Sequence, residues 1–173
     1  MFRLILTDLD ATLLQSDKTI SARTADVLRR CREAGILIGF STARAEYNSI
    51  PFIEQIRPDA VIASAGALVR LHGEIVHSVM FSEAETRTLL DEGLSRGCEV
   101  TVDALSGHYW NYTTDPAVGD PTWGHPIHTD YSCFSEPALK LCIQLPSEAD
   151  AAQIASCVPR QKSSVPWRVR LCP

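Results

Sequence analysis

The opening residues constrain this chain more than any other stretch. An apolar run of strand length, Leu4 to Leu6, ends in two carboxylates one residue apart, Asp8 and Asp10, followed by a small residue, Ala11, and a hydroxyl, Thr12. In an open parallel sheet, ligands bind outside the carboxyl ends of the strands, so a buried first strand delivers both acids to the mouth of a crevice. Alternation along an extended segment starts Asp8 and Asp10 on one side and sends Leu9 to the other. Two carboxylates this close repel unless a cation or a shared proton lies between them, and an oxygen-liganded divalent ion such as Mg2+ suits that place. An acid-rich turn that merely follows a strand shows the same D-x-D spacing, so spacing alone leaves both readings open. The position after an N-terminal apolar strand, together with Thr12, favours the first.

The next stretch alternates strand and helix. Ser21 caps a predicted helix running to about Ala34, with Thr24, Val27, Leu28, Cys31 and Ala34 along one face and Gly35 as the stop. Ile36 to Phe40 is a continuous apolar run, the pattern of a parallel strand buried on both faces. It ends in Ser41-Thr42-Ala43-Arg44, where a hydroxyl and a guanidinium suit a phosphate; a strand-to-helix cap explains Ser41 and Thr42 equally well. A helix is predicted over 45–56, limited or kinked by Pro51. A third strand follows at 60–64, then a hairpin, 68–71 with 74–79, across His72-Gly73.

From Ser82 the texture changes to an α+β pattern. Ser82-Glu83-Ala84-Glu85 is a capping box whose helix should reach about Arg96. Strands are predicted at 98–102, 108–112 and 138–145, a helix from Ser147 through Cys157, and a short strand at 167–171. The segment 113–137, broken by Pro116, Pro121, Pro126 and Pro137, reads as irregular. Its His125 and His128, near Asp120 and Asp130, are read as loop histidines rather than a metal site. Tyr109, Trp110, Tyr112 and Trp123 either line a substrate pocket or pack their own domain, and the pattern supports both.

Asp8-Leu9-Asp10-Ala11-Thr12-Leu13-Leu14 resembles the D-x-D-x-T signature of the haloacid dehalogenase (HAD) superfamily of phosphohydrolases, commonly written DLDGTLL. Ala11 stands in the glycine place. If that position needs positive φ, alanine costs about 1 kcal/mol; an ordinary turn accepts it. Thr42-Ala43-Arg44 resembles the second motif, commonly TGR in the Cof-type branch, and Ala65-Gly66-Ala67 resembles the N-G-A turn of the same branch with its asparagine replaced. The elements from Ser82 onward resemble the Cof-type α/β cap, so the likeness covers nearly the whole chain.

The resemblance implies an α/β fold: a partial, HAD-like Rossmannoid parallel-sheet core over 1–80 and an α+β cap over 81–173. It implies that Asp8 is the nucleophile and forms an aspartyl phosphate, and that Asp10 protonates the leaving group and then activates water. Thr42, helped by Arg44 and the amides after Asp8, holds the phosphoryl oxygens. Mg2+ is held by the Asp8 carboxylate and the Asp10 main-chain carbonyl. The substrate is a small phosphorylated metabolite, with sugar phosphates the family-level expectation.

Two later motifs of the superfamily are not found: a lysine beside the nucleophile and an acidic G-D-x-x-N-D loop. Lys18 lies in the loop after the first motif, Lys140 begins a cap strand, and Lys162 has no helix after it. Gly119-Asp120-Pro121 falls inside the cap and does not substitute. The sequence reads as stopping inside the cap, through truncation, an altered reading frame or a short natural variant, which puts turnover by this chain in question. The alternative is a non-catalytic phosphate-binding or regulatory remnant, or half of a split protein. A receiver-like domain ranks low, because the place after the third strand holds Ser64-Ala65-Gly66 and no aspartate. With neighbours on one side only, the first strand is expected to be an apolar edge that dimerises, pairs with a complementing chain or aggregates.

Composition sets the remaining limits. The chain has 173 residues, 45% hydrophobic and 21% charged, enough for one large domain or two small ones. A net charge of −5 gives no electrostatic reason for nucleic acid or an anionic membrane surface. No apolar run approaches the roughly 18 residues of a membrane span, and the start lacks a signal-peptide pattern, so the expected location is cytoplasmic. Cys31, Cys98, Cys133, Cys142, Cys157 and Cys172 are scattered without a C-x-x-C pair and are read as structural thiols.

Overall fold

The computed structural model describes residues 3–112 and 126–145, with the single positions 154 and 156. The predicted helix over 147–157, the strand at 167–171, and Asp120, Trp123, His125 and Lys162 lie outside the described residues, apart from the helical positions Ile154 and Ser156. Residues 3–79 belong to one compact unit, and 80–112 with 127–145 to a second. Among the described residues, no helix is long and apolar enough to cross a membrane.

In the first unit, β1 (Leu4–Thr7), β2 (Leu37–Ser41), β3 (Ala60–Ala63), β4 (Leu68–Leu71) and β5 (Glu74–Ser78) form one sheet in that order. The first three strands are parallel, with Leu6 opposite Gly39 and Gly39 opposite Ala60, and the last two form an antiparallel hairpin. His72 and Gly73, at φ 49° and 86°, give that hairpin the two left-handed turn residues that match strand twist. Gly39 is closely packed on both sides: a Cβ there would stand 2.5 Å from Leu6 Cδ2 and 3.1 Å from the Ala60 carbonyl oxygen, so a larger residue would have to displace the Leu6 side chain. Leu6 therefore lies over the bare backbone of β2 and fixes β1 against it.

Helix α1 (Ala22–Glu33) starts where the Thr24 amide donates to Ser21 Oγ at 3.0 Å, and Gly35, at φ 81°, follows its end. Its buried face is narrower than predicted, since Leu28 is buried while Val27 is 46% exposed. Helix α2 (Ile50–Ile56) begins five residues later than predicted, after a tight turn at Tyr47–Ser49. Pro51 sits in its first turn, where an amide has no intrahelical acceptor, so it starts the helix rather than kinking it. Leu9, Leu14, Ile20, Leu28, Ile38, Phe40, Phe52 and Ile56 form the core.

Among the described residues β1 is an edge of this sheet. The Arg3 carbonyl accepts from the Leu37 amide, so alternation along the strand turns the backbone groups of Leu4 and Leu6 away from β2. The side chains of these two leucines are 43% and 47% exposed.

The second unit packs α3 (Glu83–Leu94) with a sheet of order β8-β7-β6-β9, made of β6 (Val100–Ala104), β7 (Gly107–Trp110), β8 (Ile127–His128) and β9 (Lys140–Ile143). Ser82 and Glu85 complete the predicted capping box. β8 falls inside the segment read as irregular; it pairs parallel to β7, Tyr109 opposite Ile127. Leu89, Leu90, Val100, Val102 and Tyr131 anchor the core. Tyr109 packs edge-on against Phe134, and the buried Trp110 stacks on Tyr112, so the packing reading describes these aromatics. Cys98 is buried and Cys31 half-buried, while Cys133 and Cys142 are exposed.

Asp103 faces His108 across β7 and Lys140 across β9, a register that aligns the three side chains in one row. Asp103 Oδ1 lies 2.6 Å from His108 Nδ1, and Oδ2 lies 3.1 Å from Lys140 Nζ. The Asp103 and His108 side chains are 2% and 5% exposed. Hydrogen bonding and charge from His108 and Lys140 outweigh burial and leave the Asp103 carboxyl below its ordinary range.

Candidate active site

The carboxyl end of β1 runs into a tight turn. Leu9 is fully buried and pins the loop to the core, which leaves Asp8 exposed and Asp10 half-buried. The amides of Leu13 and Leu14 donate back to the carbonyls of Asp8 and Leu9 at 3.3 and 2.9 Å, closing the loop on itself. Ala11 sits at φ 56°, ψ 12°. Its place is therefore the left-handed one, and the alanine carries the strain that glycine avoids.

Asp10 is the most heavily engaged acid in this loop. Arg44 Nε donates to Oδ2 and Nη2 to Oδ1, both at 2.7 Å, and Lys18 Nζ donates to Oδ1 at 2.9 Å. Arg44 is held in turn: its side chain is 12% exposed and its guanidinium lies 5.5 Å from the Phe52 ring centroid. The hydrogen bonds of Arg44, opposed by partial burial and reinforced by Lys18, hold the Asp10 carboxyl well below the usual carboxylate range. Asp8 is less engaged, with Oδ1 accepting from the Leu9 amide at 2.8 Å.

Thr42 is buried, and its Oγ1 accepts from the Arg44 amide at 3.1 Å, which leaves the hydroxyl proton to donate elsewhere. The loop carrying both residues is tied to the end of β3. The Ser64 amide donates to the Arg44 carbonyl at 2.7 Å, and the Ala65 amide donates to the Thr42 carbonyl at 3.2 Å. Ser64, Ala65 and Gly66 are all left-handed, at φ 49°, 58° and 98°. The sequence reading placed the replaced asparagine at Ala65; asparagine tolerates this conformation better than alanine does. Ala43 is not among the left-handed residues, so alanine there carries no such strain.

The structure thus joins Asp10, Arg44 and Lys18 directly, and Thr42 through the Arg44 amide, with Asp8 two residues away in the same loop. Lys18 is the residue to which sequence reasoning gave no role. Its signal lay in Gln15-Ser16-Asp17-Lys18-Thr19, a polar turn between the buried Leu14 and Ile20 that folds back toward the acids. Among the described residues no three His, Cys, Asp or Glu side chains stand close enough to hold a metal ion. The Asp8 carboxylate and the loop carbonyls are the hard oxygens on offer, because the Asp10 carboxylate is committed to its cations. A groove of about 410 Å3 between α1 and α2 takes none of these residues; its Arg29 and Arg32 are engaged by Asp26 and Glu33 and by the carbonyls of Ile56 and Arg57.

An exposed carboxylate thus stands at the carboxyl end of a parallel strand, in one loop with a second carboxylate fixed by cations and near a buried threonine, at the end of the sheet where open parallel sheets take their ligands. The chain belongs to the haloacid dehalogenase-like hydrolase family, whose sequence pattern matches residues 5–157. It is 25% identical over 92 residues to the 5-amino-6-(5-phospho-D-ribitylamino)uracil phosphatase YwtE of Bacillus subtilis, covering 53% of this chain and 32% of that one. A haloacid dehalogenase-like hydrolase from Bacteroides thetaiotaomicron superposes with a TM-score of 0.74 at 18% identity, over 90% of this chain and 62% of that one. BT1666, a HAD phosphatase of the same organism, superposes at 0.66 with 24% identity, over 91% and 61%. The chain thus spans less than two thirds of each of these relatives, and over that span its fold is a partial HAD-type Rossmannoid core with its cap.

Proposed function

We infer that this chain carries the nucleophile half of a phosphohydrolase site that acts on a small phosphorylated metabolite through an aspartyl phosphate on Asp8. The observation that carries this reading is the division of labour between the two acids: Asp8 exposed with a single amide donor, Asp10 fixed by Arg44 and Lys18. The phosphatase activity of the Bacillus subtilis relative on a phosphorylated ribityl compound supports the substrate class.

In this reading an Asp8 oxygen attacks phosphorus and the ester P–O bond breaks. The leaving oxygen takes a proton from Asp10, which next removes one from water. That water attacks phosphorus, the bond to Asp8 breaks, and inorganic phosphate leaves. Thr42 donates its free hydroxyl proton to a phosphoryl oxygen. Arg44 acts on Asp10 as a positioning residue, and because both cations favour the ionised carboxylate, protonation of Asp10 requires one of them to loosen.

The Asp8 carboxylate and the Asp10 main-chain carbonyl are hard oxygen donors of the kind Mg2+ takes, an ion that keeps several of its waters. Bound there, it supplies positive charge against the phosphoryl oxygens. Release of phosphate from a generic phosphate ester, with Mg2+ and again with a chelator, tests the proposal. Metal-dependent release abolished by Asp8→Asn is the expected result, and an unchanged rate in that variant removes Asp8 as nucleophile. Phosphate binding without turnover instead marks the non-catalytic reading. The exposed edge of β1 supports association with a second copy or a complementing chain, and a monomer that persists at every concentration in sedimentation contradicts it.

A further inference from the structure

Lys18 is held by the backbone around it. The Gln15 amide donates to the Thr19 carbonyl at 2.9 Å and the Lys18 amide to the Gln15 carbonyl at 3.0 Å, while Asp17 Oδ1 accepts from both the amide and the hydroxyl of Thr19. Leu14 and Ile20, 5% and 6% exposed, root the turn on both sides. Lys18 itself adopts φ 62°, a conformation unfavourable to a lysine, and this turn aims its four-carbon stem at Asp10.

Asp10 does not need that ammonium. Arg44 already covers both carboxylate oxygens with a two-pronged fork, so Lys18 is a second positive charge on one negative group. The two contacts are unequal. Arg44 is largely buried against Phe52 and makes two bonds, whereas Lys18 is 40% exposed and makes one. Lys18 is therefore a second, partly exposed cation on a carboxylate that Arg44 already pairs, in the loop that also carries the exposed Asp8.

We propose that Lys18 is a phosphoryl-binding cation: when a phosphate group arrives at Asp8, the ammonium leaves Asp10 and pairs with a phosphoryl oxygen, while Arg44 keeps Asp10 in place. The exchange is favourable in charge, because Lys18 trades a carboxylate already neutralised by Arg44 for an oxygen of a dianion. The lysine stem has the reach and freedom that the stacked arginine lacks. This inference rests on the phosphohydrolase reading of the site but is separable from it.

The test is the affinity of the full chain for inorganic phosphate in Mg2+ buffer, by calorimetric titration. Lys18→Gln shortens the stem and removes the charge; it weakens binding roughly 10- to 100-fold, the range for one hydrogen bond to a charged group. Lys18→Arg keeps the charge and stays within about threefold of wild type. Thermal unfolding of each variant, run alongside, shows that the turn is intact. Wild-type binding that Lys18→Gln leaves unchanged overturns the role of Lys18 and spares the site. A role confined to bracing the loop weakens Lys18→Arg as much as Lys18→Gln, and that result also overturns it. If neither wild type nor Asp8→Ala, which lacks the repelling carboxylate, binds phosphate, the reading of the site falls together with this inference.

Discussion

Each unit contains an aspartate joined across the fold to two basic side chains at hydrogen-bond distance, Asp10 in the first and Asp103 in the second, and the two settings differ. In the second unit, Asp103 is sealed between His108 and Lys140 by strand register, on a rigid sheet, with 2% of its side chain exposed. In the first unit, Asp10 is held by Arg44 and Lys18 from two different loops and is 40% exposed. Neighbouring strands can fix a charge cluster and dry it, which makes removal of one member costly and the cluster a part of the fold. Loops at strand ends leave the cluster wet, weakly stabilising and free to exchange partners with a ligand. A carboxylate between two basic side chains thus serves the fold in one place and, in the proposed reading, the chemistry in the other.

That contrast is open to attack by mutation. The largest effect is expected in the sealed row: Asp103→Ala should lower unfolding stability by about 3–5 kcal/mol in urea denaturation, the cost of opening a buried charge pair. A loss below about 1 kcal/mol would show the row to be solvated after all. Asp10→Asn should do the reverse, costing about 10²-fold or more in Mg2+-dependent phosphatase rate while the urea midpoint moves little.

Next in size is Ala11→Gly, which relieves the left-handed strain at φ 56° and should stabilise the chain by about 1 kcal/mol. A rise in melting temperature checks it, and no rise means that the loop relaxes around alanine without cost. Smallest is the response to salt. Lys18→Gln should change stability by less than about 1 kcal/mol, and that difference should vanish near 1 M salt, where the Debye length is about 3 Å; the effect of Lys140→Gln should persist.

Acid acts on the two clusters in the same direction. Both aspartates have folded pKa values below the unfolded value of about 3.9. Each therefore stabilises the fold above that pH, and the contribution disappears as pH falls through the depressed folded value. Removing either aspartate should flatten acid unfolding below about pH 4; an Asp103→Ala or Asp10→Asn variant that unfolds with the wild-type acid profile contradicts the pairing of that carboxylate.

Much of this was legible in the sequence. The apolar runs ending in Asp8 and Asp10 and in Ser41-Thr42-Ala43-Arg44 located both loops, since an unbroken apolar run of strand length reads as a strand of a parallel sheet whether it ends up central, as β2 does, or at the edge, as β1 does. Ser21 and Ser82 marked helix starts because their side chains have one local use there. What stayed hidden depended on tertiary context. Pro51 can limit, kink or begin a helix, and only the turn before it decides. The two strained alanines look unremarkable until φ is known. Lys18 looked like one loop lysine among others, because its importance lies in a turn that brings it back across eight residues to Asp10. The cross-strand row escaped notice for the same reason, as Asp103 and Lys140 meet only through the pairing of β6 with β9.

The most direct measurement is chemical trapping of the acyl phosphate during turnover of a phosphate ester with Mg2+, by borohydride reduction followed by peptide mapping. The account predicts reduction of a single aspartyl group, at residue 8, absent without substrate and absent in Asp8→Asn. Phosphate release with residue 8 unmodified, or with the reduced residue elsewhere, contradicts it.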